Sequence, residues 1–393
     1  MNPWDQKSFN ETFDILTNNT LSRAELNYED GEYKNIHYGD VLIKFPAHID
    51  TSSADVPYIN DENTSKKFDS VLLHNGDIVF ADTAEDYTVG KATEIEITAE
   101  CKVVSGLHTI PCRPKMRFSP RYLGYFVNSP KYHNQLIPYI QGVKVSSISK
   151  TLIKNTTISY PSIEEQAKIA SFLSCLDEKI EVQNKIISKY ETLIKGIYTS
   201  LQKKIHTQKY CLSDTSVYHS VGLLSKDDLC KQGKNKCVLY GELFTTYGEV
   251  IIDIKSNTNA DGYRSNGNEI LFPSSTTVDS LSLISPSALN ESNVVLGGDM
   301  FVLSMKKDFN NEYVSYYLNI VARRQLAKFA QGTTITHLYY EHIKDFVLEL
   351  PSYTMQLQIS AIMRELQQKV VTEKRMLSAL QKQKAFLIQS MFI

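Results

Sequence analysis

One long stretch of this chain occurs twice, and this duplication constrains the fold more than any other feature of the sequence. The first copy begins at Pro161 with PSIEEQAKIASFLSCLDEKI, and the second begins at Pro351 with PSYTMQLQISAIMRELQQKV. Identical residues recur at a fixed offset of 190 positions, as far as Ser200 and Ser390. Because the offset persists without a gap, the two stretches are predicted to have the same structure.

Each copy carries the apolar spacing of a coiled-coil helix. Apolar residues recur at steps of three and four, the a/d pattern of a heptad repeat, over about five heptads. The first seam contains Ile169, Leu173, Leu176, Ile180, Ile187, Tyr190, Ile194, Ile197 and Leu201, with Gln183 as an interruption. The second contains Ile359, Met363, Leu366, Val370, Leu377, Leu380, Leu387 and Met391, with Glu373 and Lys384 as interruptions. We therefore predict two long helices, at 161–205 and 351–393, that pack on each other.

Shorter echoes extend the duplication to the rest of the chain. The paired segments are 37–42 with 239–244, 76–83 with 268–275, 122–129 with 313–320, and 140–149 with 330–339. Their offsets differ slightly, which indicates small insertions between the repeated segments. The chain is therefore predicted to hold two copies of one module, at 1–160 and 206–350, each followed by a long helix.

Each module has the sequence pattern of a mixed α/β (α+β) domain that is rich in short strands. β-Branched and aromatic runs are divided by Gly, Asn, Asp and Pro, as in strands separated by turns. The predicted strand runs are 71–80, 93–100, 102–110, 236–244, 248–254, 268–273 and 299–305. Short helices are predicted at 122–129 and 312–324.

Composition and charge argue against several classes of protein. The net charge of −2 argues against a protein that coats nucleic acid through overall charge, although it is compatible with local basic surfaces. The six cysteines include no C-x-x-C pair, which argues against a zinc knuckle, and Cys175 is predicted to be a small core residue. No run of 18 apolar residues and no apolar leader is present. A soluble, cytoplasmic protein with reduced thiols is therefore expected.

Several segments resemble the DNA-specificity subunit of a Type I restriction–modification system, and the resemblance covers essentially the whole chain. In the first half they are NYEDGEYKNIHYGDVLIKF at 27–45, the series GDIVFADT, GLHTIP and QGVKVSSIS, and the helix start P-x-x-x-E-Q-x-x-I-A followed by D-E-K-I. The second half is similar to the same family through SKDDL, YGELFTTYGEV and NVVLGGDM. Its helix departs from the pattern, with Gln367-Gln368 in place of Asp177-Glu178 and no Glu before Gln356.

The resemblance implies two target-recognition domains, each of which reads one half of a bipartite, asymmetric DNA sequence. The domains would be separated by the two long helices, packed as an antiparallel coiled coil in a pseudo-twofold internal repeat. The helices would set the unread gap between the half-sites and dock two methyltransferase subunits. Those subunits would bring S-adenosylmethionine and methylate adenine. Motor–nuclease subunits that use ATP and Mg would cut unmodified DNA.

The residues themselves also predict a chain that is not an enzyme and binds no cofactor. An adenine methyltransferase of this kind carries an N-P-P-[YF]-type tetrad, and the closest approach is Asn128-Ser129-Pro130. The segment VGKA at 89–92 lacks the flanking Gly and the Ser/Thr of a phosphate-binding loop. The histidines are scattered and form no metal-binding motif.

Candidate DNA-contacting residues are polar side chains that directly follow a strand or flank the repeated Q-G. Such side chains can hydrogen-bond base edges or contact phosphates. In the first module they are Lys44, Thr83, Lys91, His108, Lys144, Ser146 and Ser147. In the second they are Lys255, Tyr263, Arg264, Ser274, Ser275, Thr276, Thr334, Thr336 and His337. Ser147 corresponds to His337 in the repeat, as expected if two copies read different sequences. The glycine of each Q-G is predicted to be a turn requirement.

Two alternatives remain open at this point. The chain could be the target-recognition subunit of a Type IIB-like system, which shares the architecture but has different partners. It could also be a coiled-coil adaptor whose modules bind protein. A salt series separates the adaptor from a DNA-binding protein, because binding through phosphate contacts weakens steeply with salt.

Overall fold

The computed structural model describes residues 4–52, 55–61, 66–142 and 145–392. It divides into two compact units. Unit 1 comprises Met1–Val182 with Leu377–Ile393, and unit 2 comprises Gln183–Met376. Both boundaries fall inside the long helices, so each unit holds one strand-rich module and a part of each helix. In this respect the units differ from the predicted four-part division, which treats the helices as separate segments.

The two long helices are α5 (Ile163–Gln202) and α12 (Tyr353–Met391). In unit 1 the C-terminal residues of α12, Leu387 and Met391, pack on the same core cluster as Ile169 and Leu173 of α5. The end of α12 thus lies against the beginning of α5, so the pairing is antiparallel. Every predicted seam position is buried or half-buried. The predicted coiled coil is confirmed.

The polar interruptions of the seam bind polar groups on the opposite helix. In unit 2 the side chain of Gln183 is buried and donates to the backbone and the carboxylate of Glu373. In unit 1 Lys384 forms an ion pair with Asp177 and lies 5.7 Å from the centre of the Tyr125 ring. The interruptions therefore act as polar layers that favour one register of the two helices.

Each long helix begins with the same bidentate glutamine. Gln166 accepts from the backbone N–H of Ser119 at 2.9 Å and donates to the carbonyl of Pro161 at 2.9 Å. Gln356 makes the same two bonds, with the backbone N–H of Asn310 and the carbonyl of Pro351. The glutamine repeated in both helix starts is thus a structural residue that fastens the helix to its own module.

The described residues of unit 1 form four sheets and four short helices. The strands are β1 (Asp5–Ser8), β2 (Phe13–Ile15), β3 (Leu26–Asn27), β4 (Tyr33–Ile36), β5 (His48–Asp50), β6 (Tyr58–Ile59), β7 (Ile78–Ala81), β8 (Thr83–Ala84), β9 (Ala92–Glu96), β10 (Lys102–Ser105), β11 (Thr109–Pro114), β12 (Ser146–Ser147) and β13 (Thr157–Tyr160). Their orders are β2-β11-β7-β9-β5, β10-β4-β6-β3, β1-β13 and β8-β12. Pairs β4–β10 and β5–β9 are parallel. The helices are α1 (Phe9–Thr12), α2 (Tyr38–Ile43), α3 (Tyr122–Val127) and α4 (Pro130–Leu136).

Unit 2 repeats this plan with four sheets. The strands are β14 (Gln208–Cys211), β15 (Ser216–Ser220), β16 (Asn235–Leu239), β17 (Ser256–Thr258), β18 (Tyr263–Asn266), β19 (Glu269–Pro273), β20 (Ser275–Thr276), β21 (Ser287–Leu289), β22 (Ser292–Gly297), β23 (Met300–Met305), β24 (Thr336–His337) and β25 (Val347–Leu350). Their orders are β15-β23-β19-β21, β17-β16-β22-β18, β14-β25 and β20-β24. The helices are α6 (Leu212–Thr215), α7 (Glu242–Thr245), α8 (Ser280–Leu283), α9 (Asn311–Tyr316), α10 (Arg323–Leu326) and α11 (Tyr340–Ile343). The predicted mixed α/β class and the internal repeat are confirmed.

Phe392, the residue directly after α12, completes the core of unit 1. Phe392 is 4% exposed, and its ring lies 5.9 Å from that of Tyr122 and 5.7 Å from that of Phe126. Trp4 makes an edge contact with Phe392 at 6.4 Å. Strand β1, which follows Trp4, pairs antiparallel with β13, the strand that leads into α5. Unit 1 is therefore closed by elements that are remote from one another in sequence.

Several local predictions need correction. The run 248–254 is not a strand, because Val250 makes only an isolated bridge to Ala288. The end of run 236–244 is helical, as α7. Cys175 is exposed instead of buried, because it lies off the seam formed by Leu173 and Leu176.

The predicted helix at 312–324 is divided into α9, a π-helical turn at Tyr317–Val321, and α10. All six cysteines are free thiols. Within the described ranges, no helix is both long enough and apolar enough to span a membrane.

Candidate nucleic-acid interface

In each unit a short two-stranded ribbon gathers several of the predicted residues. The first ribbon is β8 with β12, in which Thr83 pairs with Ser147 and Ala84 with Ser146. The second ribbon is β20 with β24, in which Ser275 pairs with His337 and Thr276 with Thr336. Both ribbons are antiparallel and occupy corresponding places in the repeat.

A closed loop precedes the second strand of each ribbon. Gln141 and Ser147 exchange backbone hydrogen bonds at 3.0 and 2.8 Å, and Gln331 and His337 do so at 2.9 and 2.6 Å. The following glycines, Gly142 and Gly332, have φ values of +108° and +118°. A Cβ atom at these glycines would lie 1.9 and 2.0 Å from a carbonyl oxygen across the loop. The predicted turn requirement for the Q-G glycines is confirmed.

The residue before each ribbon is held by the short connection between two strands of different sheets, β10 and β11 in unit 1 and β22 and β23 in unit 2. The N–H of Asp82 donates to the carbonyl of His108 at 3.0 Å, and the N–H of Ser274 donates to the carbonyl of Asp299 at 2.8 Å. The carbonyls of Asp82 and Ser274 in turn accept from the residue directly after the second ribbon strand, at 2.8 and 2.9 Å. The backbone frame of the two ribbons is therefore the same.

The side chains on this common frame differ. In unit 1 the Asp82 carboxylate accepts from the Thr83 hydroxyl at 2.7 Å and lies 3.2 Å from Nδ1 of His108. His108 is 47% exposed and has a positive φ of 53°. Ser147 is exposed. Unit 1 thus presents an acid–imidazole pair beside two serine hydroxyls.

In unit 2 the same positions carry another set of groups. The Asp299 carboxylate accepts from the Ser275 hydroxyl at 2.7 Å, and Ser275 is buried. The ring of His337 stacks on that of Tyr339, with centres 5.9 Å apart. Thr334 is exposed, and Thr336 is half-buried. Unit 2 thus presents an imidazole, a phenol ring and threonine hydroxyls where unit 1 presents serines.

Two predicted residues of unit 1 are engaged away from the ribbon. Lys44 forms an ion pair with Asp55 and lies 4.6 Å from the centre of the Tyr28 ring. The ammonium of Lys91 donates to the carbonyl of Leu42 at 2.7 Å, and burial lowers the pKa of Lys91. Lys144 lies outside the described residues.

Three predicted residues of unit 2 also have partners within their own sheets and loops. Lys255 pairs with Asp253. Tyr263 donates to Glu269 at 3.0 Å, and burial, with the Glu269 carboxylate, raises the pKa of Tyr263 to about 12. Arg264 donates to Asp261 at 2.9 Å and to Asn293 at 2.9 Å. Among the described residues, these three make no hydrogen bond, ion pair or ring contact with the second ribbon.

Asp82 and Asp299 lie beside the ribbons and accept hydrogen bonds from Thr83 and Ser275, but they were not among the predicted residues. Alignment of the two copies of the repeat could have indicated both residues, because each corresponds to a residue that was predicted in the other copy. The segment SGLHT at 105–109 corresponds to LGGDM at 296–300, which places Asp299 opposite His108. Asp82 corresponds to Ser274, which was predicted.

The basic excess of α12 does not form a free cationic surface. The helix carries six basic residues against two acidic ones. Four of the six are in ion pairs: Arg364 with Glu312, Lys374 with Glu191, Arg375 with Asp253, and Lys384 with Asp177. Among the residues that the structure describes, no three His, Cys, Asp or Glu side chains are placed to hold a metal ion.

Known proteins share both the sequence pattern and the fold. The chain is 33% identical, over 136 residues, to a Methanocaldococcus jannaschii protein assigned as the type I restriction enzyme MjaX specificity subunit. That alignment covers 34% of this chain and 31% of the relative, so it spans less than a third of the curated relative's length.

Two solved structures show the same fold over the whole chain. One is the S subunit of a Type I restriction–modification system from M. genitalium, with a TM-score of 0.59 and 15% identity, covering 100% of this chain and 97% of that one. The other comes from work on complex assembly and conformational transition of the type I R-M system, with a TM-score of 0.54, 14% identity, and coverage of 100% and 98%.

The family model for the Type I restriction modification DNA specificity domain matches residues 1–192 and again residues 208–382. These two matches take in both compact modules, both ribbons and most of both long helices. The chain is a type I restriction–modification specificity subunit and belongs to the Type I restriction modification DNA specificity domain family.

Proposed function

We propose that this specificity subunit reads a bipartite, asymmetric DNA sequence, with each unit reading one half through its ribbon. The observation that supports the proposal is the ribbon frame, which repeats its backbone bonds in both units while its side chains change. Two copies that read the same sequence would have no need of different side chains. Two copies that read different half-sites would keep the backbone bonds of the ribbon and differ in its side chains.

The chemistry of the ribbons suits direct reading of bases. The major groove of B-DNA admits a two-stranded β-ribbon, and each base pair presents a distinct set of donors and acceptors there. The hydroxyls of Ser147 and Thr334 can donate or accept, and the imidazole of His337 can do the same according to its protonation. The carboxylate of Asp82 can accept from the amino group of cytosine.

In this proposal the chain performs no catalysis and binds no cofactor. Two methyltransferase subunits dock through α5 and α12 and bring S-adenosylmethionine for adenine methylation. Motor–nuclease subunits bring ATP hydrolysis and Mg-dependent cleavage of unmodified DNA. The complex acts on double-stranded DNA in the cytoplasm. The missing methyltransferase tetrad supports this division of roles.

The experiment is methylation mapping with single ribbon variants. The purified subunit is assembled with its methyltransferase partner, and methylated adenines are mapped on genomic DNA. His337→Ala should lower discrimination at one or two positions of one half-site by ~1–3 kcal/mol. Ser147→Ala should act on the other half-site only. Lys307→Ala, at an exposed position outside the ribbons and outside both long helices, is the control that should change neither.

Either of two results would contradict the proposal. The first is a loss of discrimination in both half-sites from one ribbon variant. The second is DNA binding by the assembled complex that does not weaken as salt increases. Binding through phosphates must weaken, whereas an adaptor with an apolar protein interface would not show this dependence.

A further inference from the structure

An apolar side chain projects from the loop of the second ribbon. Ile335 is 46% exposed, although it lies between two threonines on a loop that is closed by Gln331 and His337. Its carbonyl lies against Gly332, so the loop conformation depends on that glycine. Isoleucine is β-branched and stiff about χ1. The loop therefore presents a rigid apolar group beside the polar groups of the ribbon.

Unit 1 presents an apolar residue at the same position. Val145 directly precedes β12, as Ile335 directly precedes β24, and it is 50% exposed. The next positions change from Ser146-Ser147 to Thr336-His337. The polar side chains thus differ between the two ribbons, while an exposed β-branched apolar residue occurs in both.

Single exposed apolar residues are common and by themselves need no explanation. Here, however, two occupy equivalent positions next to the groups that are proposed to read bases. Each base pair offers hydrogen-bonding groups in the major groove, and thymine also offers a methyl group, which is its apolar feature there. A rigid apolar side chain on a ribbon that enters this groove has the thymine methyl as its matching partner.

We propose that Ile335 packs against the C5-methyl group of a thymine in the half-site read by unit 2, and that Val145 does the same in the half-site read by unit 1. Each half-site therefore contains a thymine that is recognised through its methyl group. This inference rests on the proposed function, because it requires the ribbons to face DNA bases.

The test removes single methyl groups from the DNA. After the target has been mapped, each of its thymines is replaced in turn by deoxyuridine, which keeps the hydrogen-bonding groups and lacks the methyl. Binding by the complex of this subunit with its methyltransferase partner is then measured. One replacement in each half-site should weaken binding about fourfold, the factor that corresponds to burying one methyl-sized group.

Variants of the loop assign each methyl group to its residue. Ile335→Ala should weaken binding to the thymine duplex by a similar factor and remove the sensitivity to deoxyuridine in one half-site only. Val145→Ala should do this in the other half-site. Leu223→Ala is the matched control, because Leu223 is 97% exposed and lies outside the ribbons. It should leave both sensitivities unchanged.

Several results would overturn the inference. They are half-sites without thymine, binding that ignores every deoxyuridine, and an Ile335→Ala variant that keeps the sensitivity of the wild type. A rise in 2-aminopurine fluorescence on binding would indicate that Ile335 is inserted between base pairs instead. If the unsubstituted duplex is bound specifically but deoxyuridine has no effect, this inference fails and the proposed function stands. Absence of sequence-specific binding overturns both.

Discussion

Tyr125 and Tyr316 occupy corresponding positions on α3 and α9, but their hydroxyl groups differ in hydrogen bonding. Tyr125 donates to the carboxylate of Asp177 at 2.6 Å, and Lys384 pairs with the same carboxylate. The Tyr316 hydroxyl is buried without a hydrogen-bond partner among the described residues. Burial is the largest cause that raises the pKa of both tyrosines. The duplicated backbone thus does not carry a duplicated set of polar bonds.

A second pair of positions has reversed charge. Arg121, directly before α3, pairs with Glu96 at 3.0 Å in unit 1. The corresponding residue in unit 2 is Glu312, which is fully buried and accepts from Arg364 of α12 and from Asn290. The first module is therefore linked to the helices through Asp177, and the second through Arg364. Each module therefore makes its own set of polar contacts with the helix segments of its unit.

The largest effect is expected from a charge in the seam of unit 1. Leu176 is 5% exposed, so Leu176→Asp should destabilise unit 1 by ~4–5 kcal/mol, the cost of an unpaired buried charge. Leu366 is only half-buried, so Leu366→Asp should cost less in unit 2. Trp4, the only tryptophan, reports on unit 1 through its fluorescence during urea unfolding. An unchanged unfolding midpoint for Leu176→Asp would mean that the seam does not stabilise unit 1.

The next effect concerns the link of the second module to α12. Arg364→Leu leaves the buried carboxylate of Glu312 without its cation and should destabilise unit 2 by ~3–4 kcal/mol. Hydrogen exchange of peptides from 311–326 measures this opening. Adding Glu312→Gln to Arg364→Leu should recover much of the loss, because it removes the unpaired charge. A double variant as unstable as the single one would contradict the assignment.

The buried carboxyl group of Glu94 is expected to make the stability of unit 1 depend on pH. Burial raises the pKa of Glu94 to about 7, above its ordinary value of 4.5. Its folded state therefore holds a proton more tightly than the unfolded state does, so this contribution to stability is present below pH 4.5 and is lost as the pH rises through 7. In unit 2 the corresponding strand position is Ala288, which does not ionise.

Glu94→Gln isolates this effect from other titrating groups. Burial lowers the pKa of the nearby His48 to about 4, so its contribution changes in the opposite direction, from pH 6.5 downward. Because His48 is present in both proteins, its contribution to stability cancels when the variant is compared with the wild type. The stability of Glu94→Gln relative to wild type should rise by at most about 3 kcal/mol between pH 4.5 and 7. Trp4 fluorescence in urea provides the measurement, and a pH-independent difference would contradict it.

The smallest effect separates the two tyrosines with which the comparison began. Tyr125→Phe removes a hydrogen bond to a carboxylate and should cost ~1.5–2 kcal/mol. Tyr316→Phe removes a buried hydroxyl without a partner and should be neutral or slightly stabilising. Urea unfolding and hydrogen exchange of the two units provide the values. Equal losses for both variants would show that the Tyr316 hydroxyl has a partner after all.

The long helices and the duplicated modules could be predicted from the sequence because their signals are local and periodic. The a/d seam needs only the spacing of apolar residues, and the turn beside each ribbon follows from the echoed Q-G segments. The strand predicted at 248–254 was wrong because a run of apolar residues indicates burial and does not specify the backbone conformation. Ile251 is buried, and its N–H bonds to the carbonyl of Ala288, but the segment joins no regular ladder.

The links between modules and helices could not be predicted, because they join residues far apart in sequence. Asp177 lies off the apolar seam and gives no sign of its bonds to Tyr125 and Lys384. Cys175 was misassigned for a related reason, since membership of a helix does not specify which side of it is buried. Of the predicted DNA-contacting residues, those on the ribbons share one frame in each unit. Their contact with DNA stays a prediction.

The most direct test of two independent reading units is an exchange of residues 206–350 for the equivalent module of a relative. The incoming module should carry an acidic residue at the position of Glu312, so that Arg364 keeps its partner. The chimera is assembled with its methyltransferase partner, and methylated adenines are mapped across a genome. The account predicts that one half of the recognised sequence changes while the other half is retained. A change in both halves, or in neither, would contradict it.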